Sequence, residues 1–288
     1  MDVLIALHRR LQKAVDLYGM RPLAQRVFRH LYAQRYRKNQ LARATQNARE
    51  WWLHPEVALR GEFQEFETIA WLREVVRPGM TVIDIGANVG QMTLEMAELV
   101  GPAGKVIAIE PAPGNVELLR EHVRANGYCD RVEIVAAACG DIDGGELDFV
   151  VYGSAIDSVG SGHQLLSITK QTEFWQTAKL ESQAMKVPLV TCDALCKRLD
   201  LRPHVLKIDV EGAEALVLQG ARDVLAAYQP LVRMGFHPFA FEDPQATAKN
   251  ISRWLGEVGY QQYDCCDPSH WELAEYVFGP MTRRSIVE

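Results

Sequence analysis

The chain has 288 residues, 48% apolar and 24% charged, which is long enough to bury a sizeable core and ordinary for a globular protein. That balance excludes collagen-like, mucin-like and wholly disordered chains, and no run of about 18 uncharged apolar residues is present to span a bilayer. The net charge of −6 is unevenly spread: residues 1–50 carry 11 Lys or Arg against 3 acids, or +8, and the remainder 20 against 34, or −14. The six cysteines form no C-x-x-C pair, so neither a zinc ribbon nor a disulfide framework fits, and small buried thiols in a reducing compartment are expected. The first residues hold only a short apolar run and no small-residue cleavage site, so the expected location is cytoplasmic.

Residues 1–50 read as helix. Leu4, Leu7, Leu11, Val15 and Tyr18 recur at helical spacing, and after Gly19 and Pro22 a second stripe follows with Leu23, Val27 and Leu31. We assign residues 1–60 to a basic helical arm and 61–288 to one further domain. The arm's apolar stripes need a partner, and its +8 complements the acidic body. A homo-oligomer through residues 1–50 is the first expectation, ahead of packing on the same chain or contact with an anionic membrane or nucleic acid. A helix is expected from about Phe63 to Val76, ending at Arg77-Pro78-Gly79.

From residue 80 short Val/Ile-rich runs alternate with helical stretches. Strands are expected at Thr81–Ile85, Val106–Ile109, Val132–Ala136, Val205–Ile208 and Leu231–Met234, with Leu147–Val151, Val187–Thr191 and Tyr276–Phe278 as additions. Helices are expected at Gln91–Val100, Val116–Ala125, Ala213–Leu225 and Ala246–Val258. Such alternation predicts an α/β fold with a doubly wound, mostly parallel sheet. The stretch from about Tyr152 to Met185 shows no clear strand, and a helix is expected around Thr169–Lys179. Long irregular insertions of this kind are commonly lids, and Phe174 and Trp175 offer apolar surface for a ring face.

The strongest local signal is Val82-Ile83-Asp84-Ile85-Gly86-Ala87-Asn88-Val89-Gly90, running off a strand into a helix. The second glycine of the dinucleotide fingerprint G-x-G-x-x-G is absent, and Asp84 at the strand end would repel a pyrophosphate. The pattern suits a zwitterionic amino-acid tail, with Asp84 on the ammonium side and the amides of Gly86, Ala87, Asn88 and Gly90 on the carboxylate. The next strand ends in Ile109-Glu110-Pro111, placing Glu110 to accept ribose hydroxyls. Together they point to S-adenosylmethionine, against an NAD site or a ligand-free turn with a capping acid.

These two elements resemble the first motifs of class I methyltransferases. The segment Leu206-Lys207-Ile208-Asp209-Val210-Glu211-Gly212-Ala213-Glu214, followed by Val217-Leu218-Gln219-Gly220-Ala221, resembles the FkbM family over about residues 80–240. The resemblance implies a Rossmann-like fold and an S-adenosylmethionine-dependent O-methyltransferase acting on a hydroxyl of a small acceptor, a sugar or glycosylated natural product. Family members commonly carry Glu two residues before the His that ends the next strand, where Leu231-Val232-Arg233-Met234-Gly235-Phe236-His237 has Gly235.

The reacting end falls outside the carboxyl ends of the strands, where Asp209, Glu211 and His237 gather. Either His237 or a carboxylate acts as general base, or Asp209 and Glu211 hold a divalent cation, magnesium or manganese, that acidifies the hydroxyl. Glu214 serves the site or caps the following helix, and Lys207, on the other face from Ile208, is expected to pair with an acid. His122, His163, His204 and His270 are expected in surface or core roles, with His163 inside the candidate lid. No N/D-P-P-Y-like turn follows this strand, which favours oxygen over nitrogen as the acceptor. The acidic body and the lack of an aromatic-interleaved basic patch argue against a nucleic-acid partner. A nucleic-acid methyltransferase using the basic arm and a cofactor-binding scaffold without turnover are the alternatives.

Overall fold

The computed structural model describes residues 41–59, 66–152, 164–165, 182–265 and 274–282. The apolar stripes of the expected arm, the helix at Thr169–Lys179, Phe174, Trp175, His163 and His270 lie outside them, and none of the described helices is long and apolar enough to cross a membrane.

Residues 42–53, expected as part of a helical arm, form a hairpin instead. Strand β1 (Ala42–Gln46) pairs antiparallel with β2 (Arg49–Leu53), and Asn47 and Ala48 turn the chain with φ of 51° and 63°. Two consecutive left-handed residues are what a tight two-residue hairpin turn requires. The alternation buries Ala42, Ala44, Trp51 and Leu53 and exposes Arg43 and Trp52. Small residues on the buried side give β1 none of the Val/Ile signal on which strand expectation rests. Helix α1 (Pro55–Leu59) and helix α2 (Phe66–Val75) follow.

The central sheet has seven strands. Its parallel part comprises β3 (Thr81–Ile85), β4 (Lys105–Ile109), β5 (Val132–Val135), β10 (Val205–Ile208) and β11 (Leu231–Phe236). Helices α3 (Gln91–Val100) and α4 (Pro113–Ala125) cross between the first three. Strands β12 (Tyr260–Cys265) and β13 (Ala274–Pro280) complete the order β12-β13-β11-β10-β3-β4-β5, with β13 antiparallel to both its neighbours. The order reverses direction between β3 and β10, and that switch point is where a doubly wound sheet opens a crevice.

Between β5 and β10 the chain builds a second sheet from β6 (Ala138–Cys139), β7 (Glu146–Tyr152), β8 (Gln164–Leu165) and β9 (Ser182–Val190). The expected irregular stretch is therefore narrower than Tyr152–Met185, because β9 begins at Ser182. Helix α5 (Cys192–Arg198) was not expected; Thr191 caps it by accepting from the Ala194 N–H. The helix expected at Ala213–Leu225 is two, α6 (Glu214–Gln219) and α7 (Arg222–Tyr228). The break falls at Gly220, whose carbonyl accepts from the Asp193 N–H. Helix α8 (Pro244–Glu257) starts on an Asp243 cap and covers the sheet before β12.

The strands sort their side chains between two cores. Val82, Val106, Val205, Leu231 and Val277 face α2, α3, α4 and the β1–β2 hairpin, and Ile83, Ile107, Leu206, Val232 and Phe278 face α5–α8. Period-two alternation on strands buried on both faces produces this division. Cys139, Cys192 and Cys196 are buried as expected, whereas Cys129 is exposed.

Candidate active site

On the first face each strand is apolar at its start and charged at its carboxyl end. Val82 gives way to Asp84, Val205 to Lys207 and then Asp209, and Leu231 to Arg233 and then Gly235. Registers place Asp84 beside Lys207 and Lys207 beside Arg233. Pairing on the antiparallel side sets Gly235 opposite Glu275.

The glycine-rich turn is closed on itself. Gly86 and Ala87 donate their N–H groups to the Ile109 carbonyl at 3.0 Å each, Gly90 donates to Ala87, and Val89 to the Asn88 side chain. The Asn88 N–H donates to Glu110 Oε2 at 2.9 Å. Each of the amides expected to face a carboxylate thus has an acceptor within the fold, and the backbone at Asn88 takes a left-handed φ of 51°. Gly86 is needed for close approach as well as for its φ of 81°, since a Cβ there would lie 1.9 Å from the Asp209 carbonyl oxygen.

Asp84 lies beneath the turn with no exposed surface. Its Oδ2 accepts from Thr93 at 2.6 Å, and its Oδ1 is 3.3 Å from Lys207 Nζ. Asp84, expected on the ammonium side of the ligand, holds the turn and the lysine. Lys207 pairs with an acid, as its position on the strand predicts, and bridges Asp84, Asp209 Oδ2 at 3.4 Å and the Gly86 carbonyl at 3.1 Å.

Glu110 ends β4 one strand away. Its carboxylate accepts from the N–H groups of Asn88 and Ala112 and from Asn115 Nδ2. Burial raises its pKa to about 7 against the pull of those donors and of Lys207. A carboxylate offers about four acceptor positions, so one remains for a ribose hydroxyl beside half-exposed Pro111. A carboxylate at this strand end, and the part-exposed acids that follow β10, form a donor set that fits a cationic cofactor carrying a ribose.

The third cluster joins residues from two strands and a helix start. Glu214, at the first position of α6, is fully buried; its Oε1 accepts from the Gly212 N–H at 2.9 Å and lies 2.7 Å from His237 Nδ1. The opposite ring nitrogen, Nε2, is 3.5 Å from Asp209 Oδ1 and 3.9 Å from Glu211 Oε2. Burial opposes charge on the imidazole, but the Glu214 hydrogen bond and the charges of Glu214, Glu211 and Asp209 raise its pKa to about 9. Burial likewise raises Glu211 to about 7. For Asp209 burial is outweighed by Lys207 and His237, which hold its carboxyl below the usual range. Glu211 takes a left-handed φ of 55°, a strained conformation for a non-glycine residue, and its side chain is 30% exposed, as is that of Asp209. The structure thus brings Asp209, Glu211 and His237 together and adds Glu214, whose position at a helix start reads in sequence as a cap.

For the cation expected at Asp209 and Glu211 the arrangement gives no support. Among the described residues no three His, Cys, Asp or Glu side chains are grouped to hold an ion, and the Lys207 ammonium supplies the positive charge beside Asp209. His122 and His204 take core and surface roles: His122 Nε2 accepts from the His54 N–H, its Nδ1 meets the Val89 carbonyl, and exposed His204 accepts from the Thr81 N–H.

The family model of the Methyltransferase FkbM domain matches residues 84–262. A protein-L-isoaspartate O-methyltransferase of Aeropyrum pernix is 42% identical over 59 residues, 20% of this chain and 23% of that protein. The chain covers less than half the length of the curated relatives it matches. Among solved structures, a methyltransferase FkbM from Methylobacillus flagellatus KT aligns with a TM-score of 0.46 at 15% identity, over 74% of this chain and 51% of that one. An rRNA methylase from Streptococcus thermophilus aligns at 0.45 and 9% identity, over 76% and 97%.

Proposed function

The chain belongs to the FkbM methyltransferase family, and we propose that it transfers a methyl group from S-adenosylmethionine to a hydroxyl of a small acceptor, a sugar or glycosylated natural product. The observation that carries this reading is the Glu214–His237 pair, which turns His237 Nε2 toward two part-exposed carboxylates at the sheet's switch point.

When bound, the cofactor supplies a methyl group on a sulfonium, open to in-line displacement by an oxygen. Glu110 holds the ribose end, and the turn from Gly86 to Gly90 sets the wall beside it. An alcohol is a weak nucleophile at neutral pH and needs a base matched to that pH. Glu211, whose pKa burial raises to about 7, would take the proton of the acceptor hydroxyl as that oxygen receives the methyl group. The His237 imidazolium, fixed by Glu214, balances the acids and orients Glu211. Asp209, already ionised, accepts a hydrogen bond from the acceptor and favours the sulfonium charge.

Incubating the protein with methyl-labelled S-adenosylmethionine and a small-molecule extract, then fractionating the products, tests the reading. Label in an O-methyl ether of a small molecule supports it. Label only in RNA or protein overturns it, as does calorimetric cofactor binding with no transfer to any fraction, the behaviour of a scaffold.

A further inference from the structure

Beyond the Asp209–Glu211–His237 cluster the same sheet face continues to β13 and ends in a narrow cleft of about 40 Å³, lined by Thr68, Lys207, Asp209, Arg233, Gly235 and Glu275. Arg233 pairs with Glu275 and stands over the Trp71 ring at 5.7 Å. The Thr68 hydroxyl joins them, lying 2.9 Å from Glu275 Oε1 and accepting from Arg233 Nε at 3.1 Å. The arginine side chain is 7% exposed, whereas its acid keeps 22%. Glu275 is therefore fixed from behind by buried partners and retains acceptor capacity toward the cleft.

Gly235 makes that capacity reachable. A Cβ at this position would come within 3.3 Å of Asp209 Oδ1 and 3.6 Å of His237 Cε1, and Gly235 itself pairs across the strands with Glu275. Without a side chain, Asp209 and Glu275 both open into one space. The cations there are matched: Lys207 sits against Asp84 and Asp209, and Arg233 against Glu275. Such a wall has acceptors to offer and no surplus positive charge, which suits an uncharged ligand rich in O–H donors and disfavours phosphate or carboxylate groups.

We propose that Gly235 and Glu275 form a specificity subsite for an uncharged polyol acceptor, in which Glu275 accepts a hydrogen bond from the hydroxyl adjacent to the one held at Asp209. The subsite rests on the hydroxyl-methylation reading and narrows its acceptor to a vicinal diol. A site built to hydrogen-bond a hydroxyl rejects the analogue that lacks it, because the buried acceptor is left unmatched.

The test uses the full chain saturated with S-adenosylhomocysteine, probed by saturation-transfer NMR with methyl α-D-mannopyranoside, methyl α-D-glucopyranoside and their monodeoxy analogues. The parent glycosides are expected to bind at least tenfold more tightly than the analogue lacking one hydroxyl of the recognised pair. Glu275→Gln and Gly235→Ala should each erase that discrimination while leaving S-adenosylhomocysteine affinity unchanged. Because Glu275→Gln leaves Arg233 without its acid and risks the fold, Gly235→Ala is the independent arm. Equal affinity for all probes, no binding to any of them, or discrimination that survives in a folded variant overturns the subsite. A labelled O-methyl product formed without diol discrimination overturns the subsite alone, whereas label confined to RNA or protein removes the hydroxyl-methylation reading beneath it.

Discussion

The two halves of the charged sheet edge are built on opposite rules. At the ends of β3 and β4 each turn amide has an acceptor, Glu110 has three donors, and Asp84 has Thr93 and Lys207. At the ends of β10 and β11 three acids surround one imidazole, and two of those acids reach solvent. Satisfied groups hold a shape, and unbalanced ones perturb each other's proton affinities. In the proposed reaction the first half is the cradle for the cofactor, and the second half is where the proton moves.

That division is tested most severely at the reacting half. Glu211→Gln should lower kcat by about 10²–10⁴-fold while S-adenosylmethionine affinity stays within about twofold. The wild-type rate should rise with pH through about 7, as Glu211 ionises, and fall above about 9, as His237 loses its proton. The four groups are coupled, so these two steps belong to the cluster as a whole. Glu211→Gln should erase the lower limb; if the limb survives and Asp209→Asn erases it, Asp209 is the base.

In the cradle the same kind of change should act on stability. Asp84→Ala removes one of the two carboxylates beside Lys207, which is 6% exposed, and the acceptor of the Thr93 hydroxyl, and losing a buried hydrogen bond to a charged group costs about 1.5–3 kcal/mol. Denaturant unfolding measures it. A stable variant that has lost cofactor binding would restore the direct ammonium contact expected from sequence.

Which of these features sequence reveals follows from how local each one is. The Val/Ile runs expose the parallel strands because those strands are buried on both faces, and the string from Leu206 to Glu214 exposes its acids. Strand β12 (Tyr-Gln-Gln-Tyr-Asp-Cys) escapes notice because it is an edge strand of polar residues. The β1–β2 hairpin escapes because its buried positions in β1 are two alanines and Gln46, none of them a strand-favouring apolar residue. In the site, the role of Glu214 depends on β11 lying beside β10, which brings His237 to a helix start 23 positions away. The engagement of the turn amides is equally non-local, since it depends on Ile109 and Glu110 from the neighbouring strand.

A smaller effect separates binding from chemistry. Glu110→Ala should weaken S-adenosylmethionine about 10- to 100-fold, the loss of one hydrogen bond to a charged group, without altering the pH limits of kcat. In the ligand-free protein Glu110 takes up a proton near pH 7, and a ribose that requires the carboxylate competes with that proton. The wild-type Kd should then be flat above pH 7 and rise up to tenfold per unit below it. Calorimetry across pH 5.5–8.5 reads the slope, and Glu110→Gln should flatten it.

The smallest effect belongs to the hairpin that leans on the cradle. Asn126 clasps Trp52 through both backbone groups, accepting from its N–H and donating to its carbonyl at 2.9 Å each. His122 meanwhile links the His54 N–H to the Val89 carbonyl in the glycine turn, its own pKa lowered to about 4 by burial. Neutral across the working range, His122 keeps this bridge at any pH where the enzyme turns over. Asn126→Ala removes the exposed clasp and leaves the buried bridge, so unfolding free energy should fall by about 1 kcal/mol with cofactor Kd shifted less than twofold. A larger loss of affinity would mean that the hairpin's position sets the turn, extending the cradle beyond β3 and β4 to residues 42–53.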